Sequence, residues 1–136
     1  MLMDKYQLIQ LPKIIDPRGN LSFIEEGNQI PFKIARSYWI YDVPGGEMRG
    51  GHAFYEQQEF IVALSGSFDV VLDDGFSKKI ISLNRSYYGI FIPKMMWRSL
   101  ENFSTNSLAL VLANTSYSEK DYIRDYDLFS QLKNKK

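Results

Sequence analysis

Residues 44–68 read PGGEMRGGHAFYEQQEFIVALSGSF. This stretch holds the chain's single histidine, His52, followed at 54 by phenylalanine and at 59 by glutamate. It has the look of a metal-binding loop, yet Phe54 stands where the next ligand belongs. The frame of such a site is present while most of its ligands are missing, so the frame must be explained by something other than an ion.

Working outward, the segments on either side are strand-like. In SFDVVLD (67–73), Phe68, Val70 and Leu72 fall on one face while Ser67, Asp69 and Asp73 fall on the other, the alternation of a half-buried antiparallel strand. Asp74-Gly75 supplies a hairpin turn and KKIISL returns. Further strands are expected at Tyr6–Gln10, Leu21–Ile24, Lys33–Tyr41, Glu59–Leu64, Tyr88–Ile92, Arg98–Glu101 and Leu108–Asn114. The last, LALVLAN, is apolar throughout and reads as covered on both faces. Turn signals at Pro17-Arg18-Gly19, Pro44-Gly45-Gly46 and Ser65-Gly66 separate short strands, which favours a small sandwich or barrel. After Thr115 the pattern changes. Ser118 stands three residues before Asp121 as a helix cap, and Tyr122, Tyr126 and Phe129 follow at helical spacing. The reading is an all-β domain with a short C-terminal α-helix packed on it, fraying over Lys133–Lys136.

With 136 residues, 45% hydrophobic content and no linker-like segment, residues 1–136 fit one domain with a single core. Sixteen basic and sixteen acidic residues balance, so a nucleic-acid partner is not favoured, though a local basic pocket is compatible with that balance. No run approaches the roughly 18 apolar residues of a membrane span, and the first eleven residues lack the pattern of a signal peptide. The expectation is a cytoplasmic protein without a membrane partner. Cysteine is absent, which removes disulfides, thiolate nucleophiles and Cys-ligated zinc. Chemistry falls to His52, carboxylates, tyrosines and arginines.

The spacing from Gly46 through His52, Phe54 and Glu59 to Gly66 is that of the first cupin motif, G-x5-H-x-H-x4-E-x6-G, with its second histidine replaced. Gly89, Pro93 and Arg98 match the second motif more loosely, with Arg98 where a metal-binding histidine would stand. A cationic guanidinium cannot ligate a metal and repels one. The frame therefore predicts a metal-free pocket with one imidazole and one guanidinium. The ordinary alternatives are a structural histidine for His52, surface ion pairs for Arg98 and Arg18, β-core packing for Trp97, Tyr38 and Trp39, and helix docking for Tyr122 and Tyr126.

Together, IIDPRGNLSFIEE, RGGHAF, LSGSFDVVLDDG, YYGIFIPKMMWR and LVLANTSYSEKDYIRDYDLF resemble the WxcM-like cupins, a family of dTDP-4-oxo-6-deoxyglucose 3,4-ketoisomerases, over residues 13–129. The resemblance implies a cupin jelly-roll, or double-stranded β-helix, forming a homodimer with exchanged N-terminal strands. It implies an isomerase that needs no metal or other cofactor. Its substrate would be a dTDP-linked 4-oxo-6-deoxy sugar, on the way to 3-amino-3,6-dideoxy sugars of surface polysaccharide such as the O-antigen of lipopolysaccharide. A base takes the C3 proton, an enediolate forms, and C4 is reprotonated.

Carried over by position, His52 is the general base. Arg18 and Arg98 match positions associated with the course of the reaction at C4 and suited to stabilising the enediolate or holding diphosphate. Arg49, Tyr38, Glu59 and Trp97 are the expected substrate-contacting residues. The departure is Phe54, which rules out a two-histidine proton shuttle. Either His52 serves both carbons or a tyrosine assists, with Tyr38, Tyr41 and Tyr55 unranked. A 3,5-epimerase-like cupin and a non-catalytic nucleotide-sugar binder are the alternative readings.

Overall fold

The structure, a computed structural model, describes residues 5–135. Its strands are β1 (Gln7–Gln10), β2 (Lys13–Ile14), β3 (Leu21–Ser22), β4 (Arg36–Tyr41), β5 (Arg49–Phe54), β6 (Glu59–Ser65), β7 (Phe68–Asp73), β8 (Lys78–Leu83), β9 (Tyr88–Ile92), β10 (Trp97–Glu101), β11 (Leu108–Ala113) and β12 (Tyr122–Ile123). A 3-10 turn spans Glu119–Asp121, and one helix, α1, spans Tyr126–Asn134. Two five-stranded antiparallel sheets result, ordered β1-β9-β6-β11-β4 and β12-β5-β10-β7-β8, with β2-β3 as a separate ribbon. This is the expected all-β jelly-roll. No helix among the described residues is long and apolar enough to cross a membrane.

The sheets face each other over one apolar layer. Ile61, Ala63, Phe68, Val70, Leu72, Leu83, Ile90, Leu100 and Val111 form its centre. A second cluster lies on the other face of the first sheet, where Phe60, Val62, Phe91 and Leu112 meet Ile9, Leu11, Ile30 and Phe32. β6 and the middle of β11 thus contribute to both clusters, the two-sided cover expected for LALVLAN. At β9, Gly89 lies against the Ile61 carbonyl and the Phe60 ring, and a methyl group there would overlap both.

The structure departs from the sequence reading in several places. β5 was not expected as a strand, because Gly50 and Gly51 interrupt its alternation. It forms because β10 and β12 flank it on both sides. The helix expected from Ser118 begins only at Tyr126, where the Asp125 side chain caps the Asp127 N–H. Ser118 makes no side-chain cap. Asp121 is engaged elsewhere: its carboxylate accepts from the Glu56 and Gln57 N–H groups at 2.9 and 3.0 Å, and its carbonyl accepts from Tyr55 N–H. Those bonds hold Tyr122–Ile123 extended against Phe54 and Ala53. At the far end α1 continues through Asn134, so Lys133 is helical, and Lys136 lies outside the described residues.

Candidate active site

Register alone brings the two half-motifs together. In the β5–β10 pair His52 is directly opposite Arg98, so both project from one face of the sheet. His52 and Phe54, two residues apart on β5, share that face, and Tyr122 on β12 is directly opposite Phe54. The three rings form a triangle, with centroids 4.8 Å apart for His52–Phe54, 5.0 Å for His52–Tyr122 and 4.7 Å for Phe54–Tyr122. On the opposite face of the same sheet, Trp97 packs on Tyr126 and Phe129 of α1.

Glu59 enters from β6 of the other sheet and meets Arg98 across the interior. Arg98 is 2% exposed and Glu59 1%. Arg98 Nε and Nη2 both lie 2.8 Å from Glu59 Oε1, and Nη2 also donates to Tyr38 Oη at 2.9 Å. Tyr38 Oη in turn donates to Glu59 Oε2 at 2.6 Å, and Gln57 Nε2 donates to the same oxygen at 2.9 Å. Both carboxylate oxygens are therefore satisfied, Oε1 by the guanidinium and Oε2 by Tyr38 and Gln57, as a buried ion pair requires. Burial pulls the Arg98 pKa down, but Glu59 and Tyr38 more than offset it and hold the group cationic. Burial, then the Glu59 charge, raises the Tyr38 hydroxyl well above its ordinary value and keeps it a phenol. Gly50 allows this packing. Its φ of +73° lies in the left-handed region, and a methyl group there would overlap Arg98 Nη1.

His52 is controlled by the same arrangement. Burial, reinforced by the Arg98 cation, depresses its pKa from 6.5 to about 3, so the ring is a neutral base at neutral pH. Its Nε2 is buried with no hydrogen-bond partner among the described residues. Such an atom is costly in a folded protein and is retained where a catalytic role or a bound group accounts for it.

These residues line a cavity of about 380 Å³ bounded by Arg36, Tyr38, Ile40, Arg49, Gly50, His52, Arg98, Tyr122 and Arg124. Four of the nine are arginines. Arg98 is paired with Glu59 at 2.8 Å and Arg124 with Glu119 at 2.7 Å. Among the described residues Arg36 hydrogen-bonds only the neutral Gln57 amide, leaving its Nε buried and unpartnered. A cavity so lined favours an anion. Among the described residues no three His, Asp or Glu side chains are grouped to hold a metal ion.

Of the residues singled out from sequence, His52, Arg98, Arg49 and Tyr38 line the cavity, and Glu59 anchors Arg98 behind it. Two do not join them. Arg18 is 90% exposed and folded onto Asp16 at 2.8 Å, the surface ion pair of the ordinary reading. Trp97 is turned to α1 because it alternates with Arg98 along β10. Tyr41 and Tyr55 are 60% and 40% exposed and do not line the cavity. Arg36 and Arg124, which sequence reasoning missed, and Tyr122, which it assigned to helix docking, do line it. Tyr122 and Arg124 reach the site only through the β5–β12 pairing, whose one signal was the run DYIRDYD.

A family model described as FdtA, WxcM-like, C-terminal, matches residues 4–134. The TDP-4-oxo-6-deoxy-alpha-D-glucose-3,4-oxoisomerase of Aneurinibacillus thermoaerophilus is 42% identical over 125 residues, covering 92% of this chain and 90% of that one. A crystal structure of a 3,4-ketoisomerase from Helicobacter canadensis superposes with a TM-score of 0.92 at 43% identity, covering 95% of this chain and 97% of that chain. A histidine-to-asparagine variant of the 3,4-ketoisomerase QdtA from Thermoanaerobacterium thermosaccharolyticum, solved with TDP-4-keto-6-deoxyglucose, gives 0.94 at 35% identity, covering 99% and 97%. With its lone imidazole facing a buried arginine on this jelly-roll, the chain belongs to the FdtA family of WxcM-like C-terminal domains.

Proposed function

We propose that the protein is a sugar-nucleotide 3,4-ketoisomerase, converting a dTDP-linked 4-oxo-6-deoxyhexose in the cytoplasm to its 3-oxo isomer. The observation that carries this reading is the neutral, unpartnered His52 directly opposite the fixed cation of Arg98. Removing the C3 proton of such a sugar needs a base that is free at neutral pH and a positive charge where the enediolate oxygen develops. His52 is the first and Arg98 the second. Because Arg98 is already held by Glu59 and Tyr38, it does not have to reorganise as charge appears. Arg36, Arg49 and Arg124 form the cationic wall suited to the diphosphate. The chemistry runs without a metal, since the guanidinium supplies the positive charge. The 3-oxo product is the substrate class for an aminotransferase making 3-amino-3,6-dideoxy sugars for surface polysaccharide.

The functional unit is a homodimer with exchanged N-terminal strands. The β2-β3 ribbon joins neither main sheet, and Ile14, Ile15 and Leu21 on and beside it are 53%, 70% and 54% exposed. Nearby, Leu11, Phe23, Ile34, Val62, Leu64 and Leu110 line an apolar groove of about 320 Å³. Such surfaces are normally covered in a stable protein.

The activity is tested by incubating metal-stripped protein with dTDP-4-oxo-6-deoxyglucose in deuterated water and following the sugar by proton NMR. A 3-oxo product with its C5 proton retained is expected. Exchange at C5 in its place would make the protein an epimerase, and binding without isotope exchange at any ring carbon would make it a nucleotide-sugar binder.

A further inference from the structure

Moving a ketone from C4 to C3 relocates two protons. One passes from carbon C3 to carbon C4, and the other from the C3 hydroxyl to the C4 oxygen. Resting on the ketoisomerase reading, the cavity offers one imidazole for these two tasks, because position 54 is phenylalanine. A second group able both to donate and to accept a proton is required, and a phenol is one.

The cavity contains two tyrosines, Tyr38 and Tyr122. The Tyr38 hydroxyl is committed, donating to Glu59 and accepting from Arg98. Tyr122 lies opposite Phe54 in the β5–β12 register, with its ring 5.0 Å from that of His52. No hydrogen bond from its hydroxyl is formed among the described residues. Arg124 sits over its ring at 4.2 Å. The neighbouring strand thus sets a phenol-bearing ring directly against the phenylalanine at position 54.

We propose that Tyr122 is the second catalytic residue, shuttling the oxygen-bound proton from O3 to O4 while His52 carries the carbon-bound proton from C3 to C4. His52 takes the C3 proton. The C–H electron pair becomes the C3=C4 double bond, and the carbonyl π pair moves to O4 beside Arg98. The Tyr122 phenol gives its proton to O4 and takes the proton of O3. An O3 lone pair then closes the C3 carbonyl, the C3=C4 pair takes the proton from His52 at C4, and both residues end as they began. No oxidant, reductant or other reactant is consumed.

The test compares wild type, Tyr122→Phe, Tyr122→His and His52→Asn with dTDP-4-oxo-6-deoxyglucose in deuterated water. Exchange at C3 and appearance of the 3-oxo sugar are read separately by proton NMR, and dTDP binding is measured by calorimetry. Tyr122→Phe keeps the ring triangle, so it is expected to bind dTDP as wild type does. Its ketone transfer should fall about 10²–10⁴-fold while C3 exchange persists. Tyr122→His, again able to donate and accept, should regain part of the transfer, and His52→Asn should lose both signals. Wild-type turnover in Tyr122→Phe, or loss of C3 exchange in step with turnover, would overturn the role of Tyr122 and leave the activity standing. Absence of ketone transfer in wild type would instead overturn the activity and this role with it.

Discussion

His52 titrates far from where an exposed histidine would. With its folded pKa at about 3 against 6.5 unfolded, the free enzyme keeps a neutral base across the whole range between those values. kcat/KM is therefore expected to show no acid limb near pH 6.5, falling only where the protein itself unfolds; a pH–rate profile measures this. The sign for stability follows. The depressed pKa means that the unfolded chain binds the extra proton first. The contribution of His52 is complete above pH 6.5 and lost as pH drops toward about 3, with a slope of at most about 1.4 kcal/mol per pH unit. In His52→Gln the fall of Tm between pH 7 and pH 4 (roughly the upper part of that window) should be visibly smaller than in wild type. Glu59 gives a second expectation at this scale. Glu59→Gln leaves the Arg98 cation buried without its counter-charge, so a loss of roughly 3–5 kcal/mol is expected. That corresponds to a Tm lower by on the order of 10 °C in a thermal melt. A Tm unchanged in Glu59→Gln would show that water or another group compensates Arg98.

Among the elements, β5 and β12 matter most and were the least legible. Motif spacing identified His52 and Glu59 because ligand-type residues at fixed intervals are a local signal. β5 itself was hidden by the glycines that make it useful, since Gly50 is required where Arg98 packs against the backbone. β12 was hidden by a Ser118–Asp121 pair that imitates a helix cap. What decides its conformation is a contact between residues 64 and 65 positions apart, from Asp121 to the N–H groups of Gln57 and Glu56, which no local pattern reports. Tyr122 was read as helix docking, and Arg124 stayed invisible, for the same reason. Asp121→Ala should release β12 at a cost of about 1–3 kcal/mol, from the N–H groups left unpaired. Activity should fall far more than the melting curve indicates. Gly50→Ala should fold yet displace Arg98, lowering kcat by on the order of 10²-fold with dTDP binding retained.

For the molecule as a whole, zero net charge conceals a separation of charge. Arg36, Arg49, Arg98 and Arg124 converge on one cavity, and the compensating acids lie behind or beside it. KM for the sugar nucleotide is expected to rise several-fold as ionic strength goes from about 0.01 to 0.15 M, where screening shortens from roughly 30 to 8 Å. kcat should change little, because the interior pair is shielded from salt. The jelly-roll was readable from alternation and turns. The bridge that joins its two sheets was not, because Glu59 and Arg98 meet only once both sheets are in place. That bridge also bears on descent. Buried ion pairs replaced by apolar residues of similar volume commonly leave a protein as stable or more so. Selection for foldability alone would let methionine or leucine drift into positions 59 and 98 together. Replacing Glu59 and Arg98 together by apolar residues is therefore expected to leave the fold standing while removing the charge that the proposed chemistry uses.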